Sequence, residues 1–350
     1  MSGMTIAFII VILAIAGSIV FFSIKPKKKR RTDSIYTDAL NAMIRNDRKT
    51  ALSLLRDVVR HDSNHVDAYL QLGNILRETH PQQALKIHQS LTVRPNLSKT
   101  MKIDIHQALA LDYQLLGRLP LAKRETEQIL KIERRNLIAT EFLLSIAVSE
   151  RNWTEASTYA KVVQRITNTQ DKQQLAQFQV YEGMDKLEQG DRNGARSSFK
   201  KALKIAPDFG EPNRHLGDLL EDERDLVKAI EHWEKYATLS PNGAKGVFNK
   251  IETALFDLGR FGEVENFYRR ILEKDPANLE ALSKLANVME EKGDRQTGLE
   301  LVDNALARNE SSLHIRLMKL KLSLTLKPPH ELAHQIDTLR TLIAEIEKEH

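Results

Sequence analysis

Hydrophobic and polar positions recur with a helical period through most of the chain, in segments that are joined by short polar turns. The most regular stretch is residues 176–209, where Gly183, Ala195, Phe199, Ala202 and Pro207 stand at the spacings that a pair of packed helices requires. Small residues let the two helices approach, Phe199 fills the groove between them, and Pro207 ends the second helix. The pattern predicts a helix–turn–helix unit, with its turn at Gly190–Asp191.

The same spacing returns in both directions from this unit. Eight units start near residues 32, 66, 103, 137, 176, 210, 245 and 279. Two joints, 98–102 and 168–175, are longer and polar, which indicates either a longer loop or an extra helical turn. Unrelated amphipathic helices would not keep small, aromatic and proline residues in phase over so many units.

This spacing resembles tetratricopeptide repeats. The resemblance implies an all-α fold, a right-handed α-solenoid of about eight helical hairpins over residues 32–312. Beyond it, a helix from Leu313 and a second one from His330, separated by Pro328–Pro329, are expected to form C-terminal capping helices over 313–350.

The N-terminus predicts a membrane anchor. Residues 1–24 carry no charged side chain, and a helix over the apolar run Met4–Ile24 would be roughly 30 Å long, the thickness of the bilayer's hydrocarbon core. A cleaved signal peptide has its basic residues before the apolar run, whereas here they follow it. We therefore expect a single transmembrane helix at 1–24, with the N-terminus outside and the repeats in the cytoplasm; a signal peptide or a buried core helix is the alternative.

Positive charge is concentrated in a collar directly after this run. Residues 25–31 hold six of the 52 Lys and Arg residues, which leaves 46 basic against 47 acidic side chains in the rest of the chain. The collar residues are Lys25, Lys27, Lys28, Lys29, Arg30 and Arg31. They are expected to fix the topology and to attract anionic lipid. A nearly neutral body attracts no polyphosphate over a distance, so no nucleic-acid partner is expected.

Catalytic chemistry has little support in the sequence. The absence of cysteine excludes disulfides, thiolate metal sites and a cysteine nucleophile, and no glycine-rich phosphate loop occurs. The sequence contains the HExxH motif of zinc peptidases at His330-Glu331-Leu332-Ala333-His334. Neither a third zinc ligand nor a cleft accompanies the motif, so a metallopeptidase is a remote alternative. His61 and His65 are expected to be ordinary polar residues. We predict no enzyme, no metal and no cofactor.

A closer resemblance lies in the first units. The runs Asp67–Arg77, Ala84–Leu91 and Leu109–Tyr113 resemble the lipopolysaccharide assembly protein B family. The resemblance implies an anchor in the inner (cytoplasmic) membrane and a scaffold that contacts envelope-lipid biosynthesis enzymes and the membrane protease that controls them. The family also carries a rubredoxin-like zinc module with two Cys-x-x-Cys pairs. This cysteine-free sequence has no counterpart, so we expect that module's regulation to be absent or supplied by another protein.

Partner contacts are expected on the concave face, which the first helix of each unit lines. Helical spacing selects Leu70, Asn74, Arg77, Gln114, Arg214, Asp218, Glu221, Asn249, Asn287 and Glu290. Asn74 with Arg77 is favoured because both lie in the family-like run. The mixed charges do not form a lysine clamp for a C-terminal carboxylate.

The sequence thus predicts a membrane-anchored protein-binding scaffold in lipopolysaccharide or cell-envelope biogenesis. The alternative is an assembly adaptor for another membrane complex, such as a secretion or pilus machine.

Overall fold

The computed structural model describes residues 32–240, 243–309 and 311–349, with side chains described as far as residue 344. This part of the chain contains eighteen helices and no strand, so the predicted all-α fold is confirmed. The predicted anchor at 1–24 and the collar at 25–31 lie outside the described residues. Among the residues that are described, no helix is both long enough and apolar enough to cross a bilayer.

The chain divides after Thr169 into two compact units, each built from helices that pack on the next along the sequence. The first unit contains α1 (32–44), α2 (Arg48–His61), α3 (Val66–Leu76), α4 (Pro81–Leu91), α5 (Lys99–Leu115), α6 (Leu119–Ile132), α7 (Leu137–Ser149) and α8 (Trp153–Thr167). The second contains α9 (Lys172–Glu188), α10 (Arg192–Ile205), α11 (Glu211–Asp222), α12 (Leu226–Leu239), α13 (Lys245–Asp257), α14 (Gly262–Lys274), α15 (Leu279–Glu291), α16 (Arg295–Arg308), α17 (Leu313–Ser323) and α18 (Pro329–Glu349). In α1–α16, odd-numbered helices are the first and even-numbered helices the second of the eight predicted repeats. The helices α17 and α18 lie in the predicted capping segment 313–350, and α17 is counted below with the first helices because it continues their order.

Both long joints contain an extra turn of helix. α5 begins at Lys99 and α9 at Lys172, one turn before the predicted unit starts at 103 and 176. The polar residues that precede them are the caps: the Ser98 hydroxyl accepts a hydrogen bond from the amide of Met101, and Asp171 accepts one from Gln174. These bonds satisfy amides that have no partner inside the helix, and so they fix where each helix begins.

The same device starts many of the other helices. A side-chain oxygen at the N-cap accepts a bond from the third amide of the helix at Asp47, Asn136, Asn152, Asp191, Asp225, Asn278, Asp294 and Ser312. His65 caps α3 in the same way, through its Nδ1. Local sequence chemistry therefore sets where these helices begin.

Within a hairpin, a glycine of the first helix faces a large ring of the second. A Cβ atom added at Gly183 would lie 2.4 Å from Phe199 Cε1, and one added at Gly217 would lie 2.4 Å from Trp233 Cδ1. Both rings are fully buried. The predicted close approach at Gly183 and the groove-filling role of Phe199 are confirmed, because any side chain at the glycine would displace the ring.

The position of Phe199 and Trp233 in the repeat is occupied by different residues elsewhere. In α4 it is His88, whose ring lies over Gly73; in α6 and α8 it is Thr126 and Ala160. All three are buried. The second helices α4, α6 and α8 therefore fill their grooves with a polar ring or a small side chain, whereas α10 and α12 use the large aromatics Phe199 and Trp233.

Candidate functional site

The exposed surface of the first helices is the candidate site; we call it the first-helix face. In the first unit, the two favoured residues are held by the protein itself. Arg77 donates from Nε to Asp112 Oδ1 at 2.6 Å and from Nη2 to Asn74 Oδ1 at 2.7 Å and to the carbonyl of Ala108 at 3.3 Å. The Asp112 carboxylate is fully buried. Because Arg77 balances the buried charge of Asp112, fewer of its hydrogen-bond donors are available to a partner protein.

The buried cluster continues into α4. His88 is fully buried, and its Nδ1 lies 2.5 Å from Asp112 Oδ2 while its Nε2 lies 3.2 Å from the carbonyl oxygen of Leu70. The Leu70 side chain is 5% exposed and packs in the core, so its prediction as a partner contact is wrong. The helical spacing selected the right helix, but Leu70 points toward α4 and α5 instead of toward solvent.

The first helices of the first unit expose several apolar side chains beside polar ones. Gln114 is exposed as predicted, and next to it Leu115 is 54% exposed. On α7, Ile138 and Val148 are 58% and 39% exposed. These two stand ten residues apart, with exposed Glu141 and Ser145 between them at helical spacing, so all four lie along one side of α7.

In the second unit, the first helices are joined by a lysine ladder. Each of three lysines reaches back to two acceptors, three residues apart, on the preceding first helix. Lys250 Nζ donates to Asp218 and Glu221, both at 2.9 Å. Lys284 donates to Asn249 at 2.7 Å and Glu252 at 2.8 Å, and Lys321 donates to Asn287 and lies 2.9 Å from both Asn287 Oδ1 and Glu290 Oε2.

The ladder ties the face to the core below it. Trp233 Nε1 donates to Asp218 Oδ1 at 3.0 Å, and Lys250 Nζ lies 5.2 Å from the centre of the indole ring. Burial acts to lower the pKa of Lys250, but the hydrogen bonds to Glu221 and Asp218 outweigh burial and raise that pKa. At the other end, the hydrogen bond from Lys321 lowers the pKa of Glu290. Both groups are thus held charged at neutral pH.

Five of the ten predicted contact residues are therefore acceptors in this ladder: Asp218, Glu221, Asn249, Asn287 and Glu290. Arg214 lies apart from it and pairs with Glu211 one turn earlier on α11, at 3.0 Å. Sequence reasoning selected five of the six acceptors and missed Glu252 and the three lysines. The available signal was the recurrence of lysine on first helices, since Lys250 and Lys284 stand one repeat apart.

The histidine motifs do not assemble a metal site among the residues that the structure describes. His330 and His334 are exposed at the start of α18, and no group of three potential ligands comes together in that part of the chain. His65 caps α3 and its ring lies 4.6 Å from that of Tyr36, whereas His61 is exposed at the end of α2.

Comparison with known proteins agrees with this architecture. The family model described as tetratricopeptide repeat matches residues 182–244. Lipopolysaccharide assembly protein B of Escherichia coli K12 is 21% identical over 286 residues, which cover 81% of this chain and 73% of the relative. The protein of the same name from Haemophilus influenzae is 23% identical over 329 residues, 88% of this chain and 81% of that one.

A second kind of relative matches a shorter region. The type IV pilus assembly protein PilF of Pseudomonas aeruginosa is 24% identical over 192 residues, 54% of this chain and 72% of that protein. The repeat match and these similarities point the same way. The chain matches the tetratricopeptide repeat over residues 182–244, and it is similar to lipopolysaccharide assembly protein B over most of its length.

Proposed function

We propose that this protein is a membrane-anchored scaffold that binds other proteins through its first-helix face, in lipopolysaccharide or cell-envelope biogenesis. The observation that carries the proposal is the similarity to lipopolysaccharide assembly protein B over 81–88% of the chain, together with the repeat architecture. The partners expected from the resemblance are envelope-lipid biosynthesis enzymes and a membrane protease.

The first-helix face offers two surfaces of different chemistry. The surface of the first unit has exposed Leu115, Ile138 and Val148, which suit an apolar partner segment. The surface of the second unit is lined by the lysine ladder, whose paired charges hold their geometry before a partner arrives. A prearranged surface loses less conformational entropy on binding than a mobile one does.

The proposed location is the inner membrane, with one span at 1–24 and the repeats in the cytoplasm. The apolar run Met4–Ile24 and the collar 25–31 support it, because a basic segment beside a span stays on the cytoplasmic side. In alkaline carbonate extraction, the full chain should remain with the membrane pellet and a chain lacking residues 1–31 should be released. Release of both forms would contradict the anchor.

The partner class is tested by affinity purification of the full chain from solubilised membranes after chemical crosslinking, followed by quantitative mass spectrometry. The proposal expects enrichment of an envelope-lipid biosynthesis enzyme or a membrane protease over a mock purification. It expects that enrichment to fall when Leu115, Ile138 and Val148 are all changed to Glu. If no protein of either class is enriched, the biogenesis role is wrong.

The second candidate is an assembly adaptor for another membrane complex, and the similarity to PilF favours it. The same purification separates the two, because an adaptor of that kind should enrich components of a secretion or pilus machine instead.

A further inference from the structure

A cleft of about 840 Å³ opens between the second helices α6 and α8, on a different side of the first unit from the proposed first-helix face. Its floor is the buried side of α7, at Thr140 and Leu143. Partly buried Leu130, Val162 and Ile166 form apolar walls. Its volume falls within the range of about 300–1,000 Å³ that is typical of small-molecule sites.

The mouth of the cleft is strongly cationic. Lys131, Arg134, Arg135 and Arg165 line it, and Glu127 is the one carboxylate among its lining residues. All five side chains are exposed. Within the described part of the chain, none of the three arginines has a carboxylate partner, in contrast to the paired charges of the ladder. Unpaired guanidinium groups offer planar pairs of donors that match a phosphate or carboxylate.

A neutral donor lies on the wall between the mouth and the floor. Burial raises the pKa of the Tyr159 phenol, and its hydroxyl has no hydrogen-bond partner among the described residues. The side chains thus run from cationic at the mouth, through the Tyr159 hydroxyl, to a floor of Leu143 and Thr140, whose own hydroxyl donates to the carbonyl of Asn136.

We propose that this cleft binds an anionic amphiphile, with an aliphatic chain against Leu130, Val162 and Ile166 and a phosphate or carboxylate head on Arg134, Arg135 and Arg165. An extended peptide is a poorer fit, because peptide recognition needs amide or free backbone groups that pair with the peptide backbone. The cleft is walled by helices whose backbone groups are bonded internally, and it contains no Asn or Gln.

The test is photo-crosslinking of the full chain in membrane vesicles with a dodecyl phosphate that carries a photoactivatable group on its chain. Labelled peptides are mapped by mass spectrometry. Three competitors separate the parts of the site: unlabelled dodecyl phosphate, inorganic phosphate and dodecyl maltoside. The label is expected on residues 119–167, with only dodecyl phosphate competing effectively. If inorganic phosphate competes as well as dodecyl phosphate, the cleft binds an anion but does not recognise the aliphatic chain. If dodecyl maltoside competes equally, the cleft binds the aliphatic chain but does not recognise the anionic head. Either result overturns the proposal.

Two variants and a control complete the design. Changing Arg134, Arg135 and Arg165 to Ala should lower the labelling about tenfold, the effect of losing one or two charge-assisted hydrogen bonds. Val162→Trp should lower it similarly by filling the cleft while the arginines remain. The matched control changes Arg45, Arg56 and Lys86, three exposed cations of the same unit, to Ala and should leave labelling unchanged. Equal loss in the control, labelling outside 119–167, or displacement by acidic peptides at lower concentration than by dodecyl phosphate would each contradict the proposal.

Discussion

At the scale of single residues, the packing inside each hairpin follows from pairs of small and large side chains. Gly183 and Phe199 belong to one repeat, and their relation was predictable because both positions are set by repeat phase alone. What phase did not show is that His88 takes the ring position in α4 and is held there by Asp112. That contact joins residues 24 positions apart, on helices of different repeats, and it depends on their packing.

Gly183→Ala should destabilise the protein by about 1–3 kcal/mol, because the new methyl group forces the Phe199 ring out of its place. Gly246, an exposed helical glycine with no atom near its missing Cβ, provides the control. Gly246→Ala should be neutral or stabilise by up to about 1 kcal/mol. Urea unfolding followed by circular dichroism measures both, and equal midpoints for the two variants would contradict the packing argument.

Arg77→Ala should destabilise the first unit by about 3–5 kcal/mol, because it removes a partner of the buried Asp112 carboxylate. Arg48, which pairs with Glu78 on the surface, is the comparison, and Arg48→Ala should give no measurable change. Thermal unfolding of both variants tests the contrast. A small effect of Arg77→Ala would show that Arg77 is a free surface residue after all, as the sequence had suggested.

Acid should weaken the second unit through His215. His215 is 9% exposed, and its ring stacks on that of Phe199 with the ring centres 4.9 Å apart. Burial, with help from Arg214, lowers the pKa of His215 below its ordinary value of 6.5. Below pH 6.5 the unfolded chain therefore binds a proton at His215 more readily than the folded chain does. The free energy of unfolding decreases as the pH falls through 6.5, by at most about 1.4 kcal/mol per pH unit. His215→Phe should flatten urea-unfolding midpoints between pH 7.5 and 5.5; an unchanged slope would exclude this histidine as the cause.

At the scale of helices, the capping chemistry made the boundaries largely predictable. From the sequence, the polar joints at 98–102 and 168–175 could each be a longer loop or an extra helical turn. Both contain an extra turn, because Ser98 and Asp171 are the N-caps of α5 and α9. The lysine ladder was not predictable in the same way. Lys250, Lys284 and Lys321 are ordinary surface residues until the preceding first helix brings its acceptors alongside.

Two turns between a first and a second helix hold an arginine in a strained backbone conformation, at Arg151 and at Arg224. Arg224 has φ of 63°, in the left-handed region, where the next repeat has Gly259 at φ of 69°. Arg224→Gly should therefore stabilise the protein, by about 1 kcal/mol, since glycine adopts this conformation without a Cβ clash. The reverse change, Gly259→Arg, should destabilise it. Differential scanning calorimetry of both variants measures the pair, and a loss of stability in Arg224→Gly would show that the arginine side chain makes a contact worth more than the strain.

At the scale of the whole molecule, repeat phase was enough to predict an all-α repeat protein, and the resemblance in the first units agrees with relatives found over most of the chain. The binding residues were harder to predict. Residues such as Leu70 and Arg77 face inward or pair internally, and the exposed apolar set at Leu115, Ile138 and Val148 has no motif. Exposure in a stack of packed helices depends on which neighbours cover each helix, and helical period alone does not contain that information.

The most direct test of the scaffold places a photo-crosslinking amino acid at single positions of the full chain in living cells. Leu115 and Ile138 report on the first-helix face, and exposed Lys161 on the second helix α8 is the control position. The account predicts that crosslinks to an envelope-lipid biosynthesis enzyme or a membrane protease form at Leu115 and Ile138 and not at Lys161. Crosslinks to such a protein from Lys161 alone, or none from either first-helix position, would contradict it.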